Sequence, residues 1–594
     1  MNGGIRSSGW AICIAALLTM AACTDAAAPA DPTTLTVRIL HTSDIHGKLT
    51  GYNYFSARDD GQPSLVHAAA VIAKARAQQA NTILIDNGDL IQGDPLADWA
   101  MSAADENGHA IIMALNSLRY DVANLGNHEF NFGLDNLYLA YQQAQFPLLS
   151  SNIAFTDSAP LALRERVQPW VMLQRDFVDS AGQSRLVKIA VIGVVPPQIM
   201  QWDAKLLIDR VIASDMVSAT AKGIAEARAA NADVIIIAAH SGLPRPTHGA
   251  NNTEQVVDKL AQLEHVDAII FGHQHQVFPG AGSYTHISAA DDQRGTIYGV
   301  PAVSPGYGGS HVGQIDLTLE AVNDGWKVVD FSVQALASDA KQLDTQLLQQ
   351  LQQAHNATQQ YVQQPVGVTQ QPLSYATARL APSSGVQFVQ RAQLWYAQQR
   401  MQLPAQYADL PLLSAAAPFD AAADSNEAYT EISAGQVSLG QIADLYRYPN
   451  SLDVVKLSGQ QLKDWLEASA NAFVSSGNVK QPWSWVNGSV PHYNFDHVMG
   501  VSYRIDPRQP IGQRITHLHV KEQAVSADQQ FLVLVNSYRS SGGGGFPHLD
   551  GSTIVLQSPD QLPDILRWYL SSFDAAGYPH EIIEHWSLCP DDNC

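Results

Sequence analysis

The sequence is poor in basic side chains. Across 594 residues, 34 lysines and arginines stand against 56 aspartates and glutamates, and the formal net charge is −22. Proteins hold nucleic-acid polymers through many Lys and Arg contacts to the phosphates, so this balance argues against such a polymer as the main partner. A small anionic substrate would need local positive charge, which bound metal ions can supply. The chain is also longer than one hydrophobic core usually organises, which predicts at least two domains.

Cysteine is scarce, with 4 residues in the whole chain. Cys13 and Cys23 lie near the N-terminus, and Cys589 and Cys594 lie near the C-terminus. In an oxidising compartment we expect the last two to pair and to close a small loop, with little effect on global stability. The alternative is a mobile tail that carries two free thiols.

The apolar stretch near the N-terminus is too short for a permanent transmembrane helix. It covers residues 11–18 and is followed by small residues, a pattern typical of a secretion signal, which we assign to residues 1–22. Two alanines directly before Cys23 resemble a bacterial lipoprotein cleavage site, although Met20 stands where leucine is usual. They predict a lipid anchor at Cys23 and a tether over residues 23–34. Plain signal-peptidase cleavage is the alternative, and either process exports the chain, to the periplasm or, as a lipoprotein, to the outer membrane of a bacterium.

Short apolar runs alternate with amphipathic stretches over residues 35–337. Because the runs are apolar on both faces, they predict buried strands of a layered α/β domain. They cover residues 37–40, 82–85, 122–125, 147–149, 189–195, 234–238 and 268–271. A Gln- and Leu-rich segment over residues 338–366 predicts one linker helix, and the mixed pattern from 367 to 594 predicts a separate α+β domain.

Polar clusters begin where five of these runs end. Open α/β sheets bind ligands beyond the carboxyl ends of their strands, so we expect the clusters to converge on one site. Their carboxylate, amide and imidazole groups are ligands for Mn, Zn, Co, Fe or Mg, with little discrimination among these ions. Each cluster alone would more often be a turn or a structural histidine, but five of them in one domain predict a metal site. The residues are Asp44 and His46, Asp89, Asn127 and His128, His240, and His273 and His275.

This order of residues resembles the calcineurin-like metallophosphoesterases, and within them the 5′-nucleotidase family of secreted two-domain enzymes. The resemblance implies an N-terminal four-layer α/β/β/α domain with two divalent metal ions and a C-terminal domain that binds a nucleotide. It implies that Asp44, His46 and His275 hold one ion, that Asn127, His240 and His273 hold the other, and that Asp89 bridges them.

The resemblance also assigns catalytic residues. His128 would be the uncoordinated imidazole that stabilises the transition state and protonates the leaving oxygen. Many 5′-nucleotidases carry an aspartate three residues later, where this chain has Asn131. Asn131 can orient the ring but would raise its pKa less than a carboxylate would.

Two tyrosines stand out by their context in the C-terminal half. Tyr448 precedes a strand-like run, and Tyr538 precedes four consecutive glycines that let the backbone approach a ligand closely. An arbitrary tyrosine in such a place is more often an ordinary loop residue. Here both positions match the aromatic pair that sandwiches the base in 5′-nucleotidases, and aromatic rings stack on any base. The resemblance therefore predicts that Tyr448 and Tyr538 bind the substrate.

Further segments are similar to the branch of this family that opens 2′,3′-cyclic nucleotides and then hydrolyses 3′-nucleotides. They include residues 88–96, 413–419, 493–496 and 536–539. The resemblance implies one two-metal centre for both steps and a C-terminal domain that rotates on the linker helix. We also expect the protein to be a monomer. Two alternatives stay open: a 5′-nucleotidase or UDP-sugar hydrolase with the same metals, and a surface protein that binds nucleotides without catalysis.

Overall fold

The computed structural model describes residue 1 and residues 33–590, except 56, 60, 105–107, 245–252, 281, 283, 285, 286, 402, 404, 423, 425–427 and 449. Cys23, most of the predicted signal segment and tether, and Cys594 lie outside the described residues. Cys589 is disulfide-bonded. Among the residues described, none of the helices has the length and apolar character needed to span a membrane.

Two mixed sheets form the N-terminal half. In the first, the motif-bearing strands run parallel to one another, and the long hairpin that ends this half pairs antiparallel with the strand Thr34–Thr42. Its described strands, in spatial order, are Gly325–Ala337, His311–Val322, Thr34–Thr42, Thr82–Asp86, Val122–Asn124, Leu148–Leu149 and Val167–Gln168.

The second sheet carries the remaining motif strands, again parallel to each other. Its described strands, in spatial order, are Ala290–Asp291, Thr296–Ile297, Val300–Pro305, Ala268–Phe271, Val234–Ala239, Ser184–Val194 and Trp170–Val178, and Val277–Phe278 pairs with Val300–Pro305.

Alternation along the strands explains how the two sheets stack. Val37 and Ile39 of the first sheet share one core with Ile189 and Val191 of the second. The intervening side chains point outward: Leu40 joins the core under one set of helices, and Ala190 and Ile192 join the core under another. Most residues of these strand interiors are therefore buried on one face or the other. The predicted α/β/β/α layering is confirmed.

Helices cover both outer faces. The core outside the first sheet contains residues from Leu65–Gln78, Pro95–Ser102, Ala110–Leu118 and Gly133–Tyr141, and the core outside the second contains residues from Met216–Ala229 and Val257–Leu260. Shorter helices lie at Leu161–Arg166, Ile199–Trp202 and Ala204–Leu207, and a 3₁₀ turn at His128–Phe130.

The linker differs from the single helix that its sequence predicts. It forms two consecutive helices, Thr345–Gln350 and Gln352–Val362, with Leu351 between them. The Asp344 side chain caps the first helix by accepting a hydrogen bond from the backbone N–H of Leu347. The second packs against Pro95–Ser102 of the N-terminal half and against Leu439–Leu445 of the C-terminal half. The domain boundaries remain predictions.

The C-terminal half is an α+β fold. Its larger sheet has the strand order His497–Met499, Leu412–Ala416, Gln530–Asn536, Ser451–Ser458, Ile554–Gln561, and a smaller one has the order Gln523–Ala524, Ile515–Val520, Ser502–Ile505, Trp586–Leu588. Two-stranded pairs join Pro365–Thr369 with Gly435–Ser438 and Leu373–Ser374 with Glu431–Ile432. The main helices are Ser384–Arg400, Leu439–Leu445, Gly459–Ser469 and Leu562–Ser571, and they build separate cores on the two faces of the larger sheet.

Candidate metal centre and substrate cleft

The five polar clusters converge at the carboxyl edges of the two sheets. Three of them follow parallel strands of the first sheet, and two follow parallel strands of the second. Because the sheets stack face to face, both edges open on the same cleft. The structure brings together all seven side chains that the sequence predicts as metal ligands, in two adjoining groups.

The first group contains Asp44, His46 and His275. The Nε2 atoms of the two histidines are 3.0 Å apart, and Nε2 of His275 is 3.5 Å from Oδ1 of Asp44. Ser43 fixes this carboxylate by donating its hydroxyl to Oδ2 of Asp44 at 2.5 Å. Two imidazole nitrogens and a carboxylate oxygen that face one another at such distances fit the coordination of one cation.

The second group contains Asp89, His240 and His273, with Asn127 beside them. Nε2 of His240 lies 3.0 Å from Oδ2 of Asp89 and 3.1 Å from Oδ1 of Asn127. The same Oδ2 atom is 3.9 Å from Nε2 of His46 in the first group. Asp89 therefore stands between the groups, as a bridging carboxylate must.

Hydrogen bonds on the far ring nitrogens identify which nitrogen faces the centre in three of the four histidines. Nδ1 of His46 contacts the carbonyl oxygen of Gln92 at 2.9 Å, and Nδ1 of His240 contacts that of Asn87 at 2.7 Å. Nε2 of His273 contacts Oε1 of Glu254 at 2.8 Å, which leaves its Nδ1 for a metal. Partners of this kind orient metal-ligating imidazoles and fix their tautomers.

The centre attracts positive charge. Asp44 and Asp89 are buried, and no lysine or arginine of the described chain forms an ion pair with either carboxylate. Burial opposes ionisation, but contacts with His275 and His240 lower the pKa of Asp44. Burial likewise disfavours a charged imidazole at His240, yet Asp89 raises its pKa to about 10. Two buried carboxylates among imidazoles are the donor set that divalent ions take, so the residues fit the expected metals.

The backbone is strained at the same positions. Asp44, His46, Asp89, His273 and His275 all have φ between 51° and 68°. Non-glycine residues rarely adopt this left-handed conformation, and it concentrates at functional sites. Glycine precedes some of these ligands because the loops touch: a Cβ at Gly272 would lie 2.4 Å from Oδ2 of Asp44.

Glu129 ties two of the loops together, a role that sequence reasoning missed. Its Oε2 accepts hydrogen bonds from the backbone N–H groups of Asp89 at 2.8 Å and Gly126 at 2.7 Å, and its Oε1 accepts one from Leu90 at 2.7 Å. The side chain is completely buried. Its place beside His128 in the motif was the only signal available in the sequence.

Glu129→Gln is expected to destabilise the protein, because the new amide must turn N–H groups toward backbone donors. Leaving one or more buried donors unsatisfied costs about 1–3 kcal/mol each, which lowers the melting temperature by several degrees. Thermal unfolding of the variant tests this, with the exposed Glu165→Gln as its control. Equal melting temperatures for Glu129→Gln and the wild type would contradict the role.

His128 lies at the edge of the centre. Its Nε2 is 4.0 Å from Oδ2 of Asp89, and its Nδ1 is 2.6 Å from Oδ1 of Asn131. The side-chain amide of Asn131 in turn donates hydrogen bonds to the carboxylate of Asp203, a residue that the sequence did not single out. The structure thus gives His128 the neighbour that the sequence predicts and adds a carboxylate behind it.

Tyr448 and Tyr538 belong to the C-terminal half and interact electrostatically with residues of the N-terminal half. Both side chains are exposed, at 36% and 39% respectively. Burial raises the pKa of Tyr538 to about 12, and Glu254 of the metal domain contributes to the shift. Burial also raises the pKa of Tyr448, with a contribution from Tyr307, whose ring stacks on His275 at 4.9 Å. The two tyrosines therefore lie near residues that flank the metal ligands.

Fold and site together define a phosphoesterase with a two-metal centre. Residues 37–277 match the family model of calcineurin-like phosphoesterases, and residues 365–551 match that of the 5′-nucleotidase C-terminal domain. The chain is 36% identical to the 2′,3′-cyclic-nucleotide 2′-phosphodiesterase/3′-nucleotidase of Salmonella typhimurium, over 95% of this chain and 90% of that protein. The chain belongs to the 5′-nucleotidase family of calcineurin-like phosphoesterases, whose members use two divalent metal ions.

Two further comparisons bear on length and fold. The chain is 36% identical to the trifunctional nucleotide phosphoesterase protein YfkN of Bacillus subtilis, over 93% of this chain but only 39% of that longer protein. The structure of a 5′-nucleotidase precursor from Thermus thermophilus superimposes with a TM-score of 0.59 at 19% identity, and covers 94% of this chain and 100% of that one. The latter likeness supports the two-domain fold.

Proposed function

We propose that this protein hydrolyses 2′,3′-cyclic nucleotides to 3′-nucleotides and then hydrolyses the 3′-nucleotides to nucleoside and phosphate. The observation that carries the proposal is the assembly of seven predicted ligands in one cleft, and Tyr448 and Tyr538 lie near residues that contact two of these ligands. Similarity to the Salmonella typhimurium enzyme over nearly the whole chain supports the choice of substrate.

The metals would divide between the two groups. Asp44, His46 and His275 would hold one ion, Asn127, His240 and His273 the other, and Asp89 would contact both. Two ions in such a site supply an activated water and offset negative charge on the phosphoryl oxygens.

His128 would protonate the leaving oxygen. In the first step, water attacks phosphorus, the bond to the 2′ oxygen breaks, and a proton from Nε2 of His128 converts that oxygen to a hydroxyl. Nε2 then regains a proton through solvent, which takes up the proton that the attacking water releases. In the second step another water attacks phosphorus, the bond to the 3′ oxygen breaks, and the same nitrogen donates its new proton. Nε2 of His128 lies 4.0 Å from Oδ2 of Asp89, so the imidazole borders the metal centre, where a phosphoester bound to the ions would be within its reach.

Tyr448 and Tyr538 would hold the base. Stacking between aromatic rings tolerates any base, so the pair would orient the nucleotide without strong base preference.

A parallel assay of phosphate release tests the substrate assignment. The purified mature protein is supplied with manganese and with 2′,3′-cyclic AMP, 3′-AMP or 5′-AMP, and free phosphate is measured. We expect release from the cyclic nucleotide and from 3′-AMP, and little from 5′-AMP. Dominant hydrolysis of 5′-AMP would overturn the assignment and favour a 5′-nucleotidase, and no release from any nucleotide would favour a binding protein without catalysis.

The proposal includes export and a lipid anchor at Cys23. It rests on the apolar stretch and the small residues before that cysteine. Cys23→Ala is expected to abolish incorporation of labelled fatty acid into the protein, which the wild type should show, while its specific activity stays unchanged. A wild-type protein that incorporates no label would contradict the anchor.

A further inference from the structure

A short segment beside the cleft contacts both sides of the catalytic machinery. Two one-turn helices, Ile199–Trp202 and Ala204–Leu207, meet at Asp203. The ring of Trp202 stacks on His273, with centroids 6.0 Å apart and planes 29° apart. The next residue, Asp203, accepts hydrogen bonds from Nδ2 of Asn131 at 3.0 Å and 3.2 Å, one to each carboxylate oxygen.

The direction of these hydrogen bonds determines the tautomer of His128. An ionised carboxylate only accepts hydrogen bonds, so the NH₂ group of Asn131 must face Asp203. The Oδ1 atom of Asn131 therefore faces Nδ1 of His128, at 2.6 Å. Because an amide oxygen also only accepts, Nδ1 must carry a proton, and Nε2 is the nitrogen that exchanges a proton in the cleft.

The carboxylate of Asp203 has no capping function for its own segment. The helix that follows receives no hydrogen bond from the Asp203 side chain. In the described chain, this carboxylate forms no ion pair with a lysine or arginine, and its hydrogen bonds go to Asn131. Burial raises the pKa of Asp203 to about 6, so its charged form is costly to keep. The negative charge of Asp203 is energetically unfavourable, and its hydrogen bonds lead through Asn131 to the imidazole of His128. We take this combination as a sign of a functional role.

We propose that Asp203 is a positioning residue for phosphoester hydrolysis, acting through Asn131 to hold the ring of His128 in its productive orientation and tautomer. The inference rests on the proposed role of His128. It does not depend on which phosphoester is the substrate. Asn131 transmits the direction of the hydrogen bonds, and Asp203 supplies the negative charge that sets that direction.

Asp203→Asn tests the proposal, since an amide can turn either its oxygen or its nitrogen toward Asn131 and no longer dictates the direction. Removing such a supporting partner is expected to lower kcat about 10–100-fold while KM changes less than about 3-fold. Asp209→Asn, an exposed residue of the same segment that loses the same charge, is the matched control and should retain wild-type kcat. Melting temperature and bound metal are measured for each variant.

A charge relocation makes the test specific. In Asn131→Asp alone, two carboxylates would stand about 3 Å apart and repel each other, so we expect low kcat. In Asn131→Asp/Asp203→Asn, the carboxylate at position 131 contacts His128 directly and the amide at 203 donates to it. This double variant is expected to recover kcat to within about 3-fold of wild type.

The outcomes separate this inference from the substrate assignment. The assay uses whichever phosphoester the wild type hydrolyses, so an unexpected substrate would overturn the proposed function and leave this test intact. An unchanged kcat in Asp203→Asn would overturn the positioning role. So would a double variant no faster than Asp203→Asn, or a loss of kcat that merely follows a loss of melting temperature or of bound metal.

Discussion

Replacing Asp89 by asparagine is expected to lower kcat/KM for the cyclic nucleotide and for the 3′-nucleotide together, by at least about 1000-fold. Oδ2 of Asp89 is the atom that reaches both groups of ligands, 3.0 Å from His240 and 3.9 Å from His46. An amide cannot bridge two cations as a carboxylate does, and the loss of several kcal/mol of transition-state stabilisation corresponds to a factor of this size.

The same substitution should leave the fold intact. In the wild type, Oδ1 of Asp89 accepts a hydrogen bond from the backbone N–H of His128 at 2.8 Å. Asparagine keeps an Oδ1 atom that can accept the same hydrogen bond. Rates on both substrates and the melting temperature are measured beside Asp157→Asn, whose side chain is 98% exposed. If one activity survived in Asp89→Asn while the other disappeared, the two steps would need different centres, and the account of a single centre would be wrong.

Removing either aromatic ring of the proposed base site should weaken nucleotide hydrolysis without affecting the metal centre. Stacking on one ring contributes about 1–3 kcal/mol per base, so Tyr448→Ala or Tyr538→Ala should lower kcat/KM about 5–150-fold, mainly through KM. Tyr448→Phe and Tyr538→Phe keep the ring face and are expected to stay within about 3-fold of wild type.

A substrate without a base provides the internal control for these variants. Glycerol 1,2-cyclic phosphate contains the reacting group but nothing that could stack, so its hydrolysis should be equal in the wild type and in both alanine variants. Equal loss on this compound and on the nucleotide would show that the tyrosines support the metal centre, and would contradict their role in base binding.

The fold of the N-terminal half was largely predictable because its strands are apolar on both faces. Residues 268–271 form a strand with the expected limits, and residues 82–86 extend the expected strand by one residue. The division into two stacked sheets was implied only by the family resemblance, because side chains buried on either face look alike in sequence. The long hairpin of His311–Val322 and Gly325–Ala337 was not predicted, because its exposed outer positions interrupt the apolar runs.

The candidate site was also predictable only in part. Ligands such as Asp44 and His240 were found because each follows a strand in a recognisable pattern, and the structure places them in one cleft. Asp203 and Glu254 act through a second residue and come from segments with no pattern of their own, so only the three-dimensional contacts identify them. The break in the linker at Leu351 was also invisible, because both linker helices have the same polar, Gln-rich composition.

The most direct test of the account is anomalous diffraction from crystals grown with manganese. We expect two peaks about 3.5–4 Å apart. One should be coordinated by Asp44, His46 and His275 and the other by Asn127, His240 and His273, with Asp89 contacting both. A single peak, or ions bound away from these side chains, would contradict the two-metal centre on which the proposed function depends.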